Sequence, residues 1–304
     1  MSPTDNNQVL TALSDAMADA VEKAGAGTVL INARRRFPAS GIAYAPDLVL
    51  TASHVLERDE DIPVILPSGD QLKANLVGRD PGSDLAVIRT ERTLPAVIEP
   101  AAQDARVGQL ALALGRPTED GIQASLGVVS AINGPVHTRR GGLLEGHIRT
   151  DAIPYPGFSG GPLVDVTGAV LGMNTSGLTR GASLAIPANL SWKIAESLVN
   201  HGSVRRGYLG VRSQPVEIPP NQQEGLGRQQ ASGLLLVGVE LDSPAAEAGL
   251  MVGDILTGFA GEQVAEPDDL FTRLAGDLVG KQVELEILRA CQKQGLTVTI
   301  GERK

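Results

Sequence analysis

Cysteine is almost absent. A single residue, Cys291, stands among 304, which excludes an internal disulfide and leaves the fold to be held by packing alone. It falls in an apolar-periodic segment and reads as an inert, half-buried thiol. There is no CxxC pair and no histidine cluster, so neither a metal nor a cofactor is implied. Aromatic residues make up only 3%, so the core must rely on Val, Leu, Ile and Ala. No apolar run reaches the ~18 residues of a membrane span. The start, Met1-Ser2-Pro3-Thr4-Asp5-Asn6-Asn7, has no basic region and no apolar leader. As written, the chain therefore reads as cytoplasmic, with a periplasmic or other extracytoplasmic setting the alternative if the start has been trimmed. Positive charge is in deficit, with 26 Lys and Arg against 35 Asp and Glu and a net charge of −9. That balance disfavours nucleic acid and anionic membranes as partners. Arg34-Arg35-Arg36 and Arg139-Arg140 run against it and read as solvated loops.

What is plentiful is glycine (36) and proline (19), within a chain that is 42% hydrophobic and 20% charged. This composition suits a globular protein of many short strands, and the length suits two domains. Residues 9–24 predict a helix with Leu10, Leu13, Met17, Ala20 and Val21 on one face and Gly25 as its stop. Six strand-like segments follow: 28–33, 40–45, 48–51, 62–66, 71–78 and 85–89. After a Pro- and Ala-rich link at 92–107 come six more: 110–114, 123–132, 147–150, 162–164, 170–174 and 183–186. Each set is large enough for one small barrel. A helix over 188–200 closes this part.

Chemistry is concentrated in three places. Gly157-Phe158-Ser159-Gly160-Gly161-Pro162-Leu163 sets one serine among glycines, which can take positive φ and bring amide N–H groups close to a reacting atom. Such clusters also make plain turns, so the heptad alone leaves both readings open. Thr51-Ala52-Ser53-His54-Val55 follows an apolar run, and Ser83-Asp84-Leu85-Ala86-Val87-Ile88 puts an acid at the head of another strand. A serine hydroxyl is a weak nucleophile at neutral pH and needs an imidazole to take its proton. A buried carboxylate then fixes the imidazole tautomer. His, Asp, Ser is the chain order of the chymotrypsin-type triad, not of the subtilisin or α/β-hydrolase types.

These segments resemble the HtrA (Deg) family of serine proteases, whose pattern is T-A-x-H-V, D-L-A-V and G-N-S-G-G-P-L. The resemblance runs from about Leu13 to the end. It implies a mostly β fold: a chymotrypsin-like double β-barrel with an N-terminal helix over residues 1–203, followed by an α+β PDZ domain over 207–304. It makes His54 the general base, Asp84 its orienting acid and Ser159 the nucleophile, with the backbone N–H groups of Gly157 and Ser159 as the oxyanion hole. Phe158 stands where the family carries Asn. Ile153 stands six residues before the serine, where trypsin-like enzymes hold a selective Asp. With Asn174, Thr175 and Ser176 and, beyond Ser183, Leu184 and Ala185, it implies an uncharged substrate pocket and loose cleavage after small aliphatic residues. Loop 133–147, with His137 and His147 in or beside it, is either a ligand-sensing loop, as in the family, or an ordinary flexible hairpin. His201 ends the second helix, where a positive charge is suited.

Beyond the joint at 202–207, Tyr208-Leu209-Gly210-Val211 and Ser243-Pro244-Ala245-Ala246-Glu247-Ala248-Gly249-Leu250 followed by Gly253-Asp254 resemble a PDZ domain. Such a domain captures a C-terminal peptide by strand addition, here between the strand after Tyr208–Val211 and a helix at 267–275 carrying Leu270 and Leu274. Residues 215–232 read as a mobile polar loop. The expected activity is endoproteolysis of unfolded or damaged proteins in quality control. The alternative is a peptide-binding chaperone or scaffold with a latent triad. The N-terminal helix either packs on the barrel or, as the resemblance implies, helps a homo-oligomer, a trimer, to form.

Overall fold

The computed structural model describes residues 3–35, 37–138, 143–178, 184–274 and 278–302. The chain divides into two compact units, Met1–Val204 and Arg205–Lys304.

The first unit opens with helix α1 (Pro3–Gly25). It begins earlier than the apolar periodicity suggested, because polar residues from Pro3 onward extend it. Only its C-terminal half packs down: Ala20 and Ala24 are buried, while Val9, Leu10 and Leu13 stay exposed. Six strands then close a barrel: β1 (Thr28–Ile31), β2 (Ala39–Ala45), β3 (Leu48–Ala52), β4 (Ile62–Ile65), β5 (Gln71–Asp80) and β6 (Leu85–Thr90), in the order β1-β2-β3-β6-β5-β4. All five residues of β3 are buried. Its apolar run is that of a strand with a neighbour on either edge and covered faces. By contrast β5 alternates over its first half, the period expected where one face meets water.

A second closed barrel contains β7 (Leu110–Thr118), β8 (Gly121–Asn133), β11 (His147–Thr150), β12 (Pro162–Val164), β13 (Val170–Thr175) and β14 (Leu184–Pro187), in the order β11-β14-β13-β12-β7-β8. Between β8 and β11 a small hairpin pairs β9 (Val136–His137) with β10 (Leu143–Leu144). Loop 133–147 thus carries strand structure on both of its arms; Arg139 and Arg140, like Arg36, lie outside the described residues. Helix α2 (Ala188–His201) ends on Gly202 in the left-handed conformation, φ 72°, and packs on β5 and β6 of one barrel and on β13 and β14 of the other.

The second unit holds β15 (Gly207–Tyr208), β16 (Val211–Glu217), α3 (Pro220–Leu226), β17 (Ser232–Val239), α4 (Pro244–Glu247), β18 (Ile255–Phe259), β19 (Glu262–Gln263), α5 (Pro267–Leu274), β20 (Gln282–Arg289), β21 (Gln292–Thr299) and β22 (Gly301–Glu302). Its main sheet runs β16-β17-β18-β20-β21, with β19 on β18, and β15 pairs with β22. Two expectations are corrected. Residues 215–232 are not a mobile loop: β16 pairs with β17 as far as Glu217, and α3 is anchored by Leu226, which joins Ile218 and Leu288 in a small apolar cluster. Cys291 is exposed rather than half-buried, because it sits at positive φ (64°) in the tight turn between β20 and β21.

Candidate active site

The end of β3 runs straight into a single 3₁₀ turn, Ser53–Val55, which carries His54. Asp84 sits just before β6, the strand paired to β3, so sheet register brings the two residues together. The Asp84 backbone is in the left-handed region at φ 60°, and its carbonyl accepts the Ser53 N–H at 2.9 Å. The carboxylate is nearly fully buried. Oδ2 lies 2.8 Å from His54 Nδ1, and Oδ1 accepts the His54 backbone N–H at 2.9 Å. A third bond comes from the other barrel, where Thr175 Oγ1 donates to Oδ2 at 2.5 Å. Gly177 covers the pair. A Cβ there would stand 2.4 Å from Asp84 Oδ2 and 2.7 Å from His54 Nδ1, so this position must lack a side chain for the carboxylate and the ring to meet.

Ser159 sits in the turn between residues 154 and 161, and its Oγ is hydrogen-bonded to Ser176 Oγ at 3.1 Å. Among the described residues no hydrogen bond joins Ser159 to His54. The turn is pinned from several sides. Phe158 N–H donates to Tyr155 O, Gly160 N–H to Asn174 O and Ser40 N–H to Ser159 O. Ser40 Oγ donates to Gly157 O at 2.8 Å and accepts the Arg116 N–H at 2.8 Å. The Arg116 guanidinium reaches the carbonyls of Thr28 and Gly25, and burial lowers its pKa. Gly157 has φ 94°, and the N–H groups of Gly157 and Ser159 have no hydrogen-bond partner among the described residues.

Phe158, the departure from the G-N-S-G-G pattern, is 0% exposed. Its ring enters the second barrel among Ala111, Ala113, Val129 and Ile148 and meets Tyr155 edge-on, with ring centroids 5.5 Å apart. Gly115 makes the space, since a Cβ on it would fall 2.5 Å from the ring.

The expected pocket is built differently. Ala152 takes the interior position, so Ile153 points outward and is 60% exposed instead of flooring a pocket. Asn174 is buried and spends its amide on Pro162 O at 2.9 Å. Thr175 serves Asp84. Leu184 and Ala185 are core residues, and Ser183 lies outside the described residues. Of the six, only Ser176 is hydrogen-bonded to Ser159. Sequence reasoning missed Ser40, Gly115, Arg116 and Gly177, whose roles rest on pairings across the barrels that local patterns do not carry.

In the second unit, Leu209, Leu270 and Leu274 share one apolar core, with Val211 packed against it. Tyr208 Oη donates to the Glu240 carboxylate at 2.5 Å. Gly210 has φ 81°, and a Cβ there would meet that of Ser243 at 2.3 Å. The edge strand β16 lies beside α5.

Residues 39–173 match the trypsin-like peptidase domain family and residues 207–300 the PDZ domain family. A probable periplasmic serine endoprotease DegP-like from Halomonas elongata is 36% identical over 276 residues, covering 88% of this chain and 57% of that protein. A Brucella suis protein of the same description is 33% identical over 271 residues, 86% and 52% of the two chains. The chain spans about half the length of these curated relatives. Among solved structures, the HtrA-type protease AlgW with decapeptide superposes with TM-score 0.78 at 30% identity, covering 95% of this chain and 99% of that one. The serine endoprotease from Yersinia pestis gives TM-score 0.77 at 29% identity, with 95% and 98% covered. With barrels, His–Asp pair, a serine in a glycine-rich turn and PDZ unit in one order along the sequence, the chain belongs to the HtrA-type serine proteases.

Proposed function

We propose that the protein is a serine endopeptidase acting on unfolded or damaged polypeptides. Ser159 Oγ attacks the scissile carbonyl, His54 Nε2 takes its proton and returns it to the leaving amine, and Asp84 holds the Nδ1–H tautomer and steadies the imidazolium. The developing oxyanion is received by the N–H groups of Gly157 and Ser159. The observation that carries this reading is the Asp84 carboxylate. It is buried, bonded to His54 at 2.8 Å and saturated by Thr175, an arrangement whose chemical use is to orient an imidazole. The two partnerless amides flanking Phe158 support it further. To react, Ser159 must present its Oγ to His54 as well as, or in place of, Ser176. The bond to Ser176 favours a second state, in which the serine rests disengaged and the chain acts through peptide binding alone.

The PDZ unit binds the C-terminal residues of a polypeptide along β16, with the carboxylate at Tyr208–Val211 and apolar side chains toward Leu270 and Leu274. The names of the relatives support a periplasmic setting over a cytoplasmic one. Val9, Leu10 and Leu13, left exposed on α1, support self-association, and the family resemblance makes a trimer the assembly proposed. A fluorophosphonate probe should label the wild-type chain and leave Ser159→Ala unlabelled, and casein should be degraded only by the wild type. Equal, slow loss of casein in both, with both still suppressing client aggregation, would leave the binding reading in place.

A further inference from the structure

Segment Arg34–Pro38 connects β1 to β2 and is unused by the mechanism above. At one end Ala33 O accepts the Glu57 N–H at 3.2 Å, and the Arg35 N–H reaches Glu57 Oε2 at 3.4 Å. This ties the segment to the chain just after His54. At the other end Pro38 O lies against Gly157, 3.0 Å from where a Cβ on that glycine would stand. The loop therefore spans from the imidazole's turn to the serine's turn. His54 delivers its proton to the departing amine, so the leaving polypeptide lies on the imidazole side, where this segment is tied to Glu57.

Its side chains suit that task unequally. The Arg34 guanidinium is turned back onto the loop, with Nε donating to Phe37 O and Nη2 to Pro38 O. Arg34 thus acts as a clasp. Arg35 is exposed, and among the described residues its backbone N–H is bonded to Glu57 while its guanidinium has no hydrogen bond or ion pair. Phe37 is 63% exposed in a chain with four phenylalanines. An exposed aromatic ring and an unengaged cation, on the segment whose ends meet the imidazole's turn and the serine's turn, have the chemistry of a recognition surface.

We propose that Arg35 and Phe37 form the subsite for the leaving side of the substrate, and that they select an apolar residue and an acidic residue in the two positions after the scissile bond. This rests on the peptidase reading. The test is acyl transfer. The full chain is acylated with the p-nitrophenyl ester of a blocked valine, and the acyl-enzyme partitions between water and the dipeptide amides Leu-Glu-NH₂, Leu-Lys-NH₂ or Gly-Glu-NH₂. The ratio of transfer to hydrolysis reads the leaving side alone. Wild type should favour Leu-Glu-NH₂ over Leu-Lys-NH₂ by about fivefold, the scale of one exposed ion pair. Arg35→Glu should reverse that order, and Phe37→Ala should abolish the preference for Leu-Glu-NH₂ over Gly-Glu-NH₂. Equal transfer to all three acceptors, or an order unchanged by Arg35→Glu, overturns the subsite while the burst of p-nitrophenol still upholds the peptidase. Absence of a burst overturns both.

Discussion

Removing the Phe158 ring should damage stability and turnover together. The ring is fully enclosed, and burying an aromatic side chain of ~150–250 Å² at ~25 cal/mol/Å² is worth about 4–6 kcal/mol. Truncation to Ala leaves part of that and a partly relaxed cavity, at about 3–5 kcal/mol. For a unit of this size each kcal/mol lowers Tm by roughly 2–4 °C, so Phe158→Ala should melt about 6–20 °C lower. Phe158→Asn, which restores the family residue, should do no better, because its amide would face Ala111, Ala113, Val129 and Ile148 with nothing to bond; an unsatisfied buried amide costs about 1–3 kcal/mol. Since the ring anchors the turn between Gly157 and Ser159, kcat should fall more than KM changes. Gly115 supplies the control. Gly115→Ala should destabilise the wild type, where its methyl meets the ring at 2.5 Å, and cost clearly less in Phe158→Ala, where the ring is gone and only the residue-158 Cα, at 3.0 Å, stays close. Calorimetry on the four proteins of this cycle measures the coupling directly. A Tm for Phe158→Ala within about 2 °C of wild type, or equal effects of Gly115→Ala in both backgrounds, would refute the packing argument.

Thr175→Val keeps the shape of the side chain and removes the 2.5 Å donor to Asp84. A hydrogen bond to a charged group is worth about 1.5–3 kcal/mol, and the Gly177 N–H loses its acceptor too, so kcat/KM should drop roughly ten- to hundredfold and Tm should fall by about 3–12 °C. Gly177→Ala should cost about hundredfold in kcat, since the methyl displaces His54 from Asp84 and misplacement on the order of 1 Å has that effect; circular dichroism should show the fold intact. Burial lowers the pKa of His147 below its usual 6.5, and its Nε2 lies 3.2 Å from Asn133 Nδ2. The unfolded chain therefore binds this proton first, and stability should decline as pH falls below about 6.5. Denaturant midpoints at several pH values should show that decline in the wild type and a flatter profile in His147→Gln.

The barrels were legible because buried strands write themselves as short apolar runs between turn residues: β11 and β12 begin and end where the pattern says, and most others within two residues. His54, Asp84 and Ser159 stood out because each lies beside glycine, a turn or a strand head. Thr175 was read as a pocket wall because its position at the end of β13 says nothing about Asp84, some ninety residues earlier. Ile153 was assigned by offset from Ser159, and an offset does not reveal which face of the chain Ala152 takes. In the second unit, Ile218 and Leu226 stand too far apart to show a period, so a polar, proline-rich stretch passed for a loop. Only the fold brings them to Leu288.

The left-handed backbone at Asp84 bears on how that carboxylate can be probed. At φ 60° a residue with a Cβ sits against the carbonyl that follows, at a cost of roughly 1–2 kcal/mol that Asn and Asp bear best. Alanine there changes the peptide geometry as well as the charge, and Glu pushes a longer arm through the same constriction. Asn is the substitution that leaves the main chain where it is, so the worth of the carboxylate, its charge together with its hold on the His54 tautomer, is read from Asp84→Asn, and the larger deficit of Asp84→Ala measures conformation too.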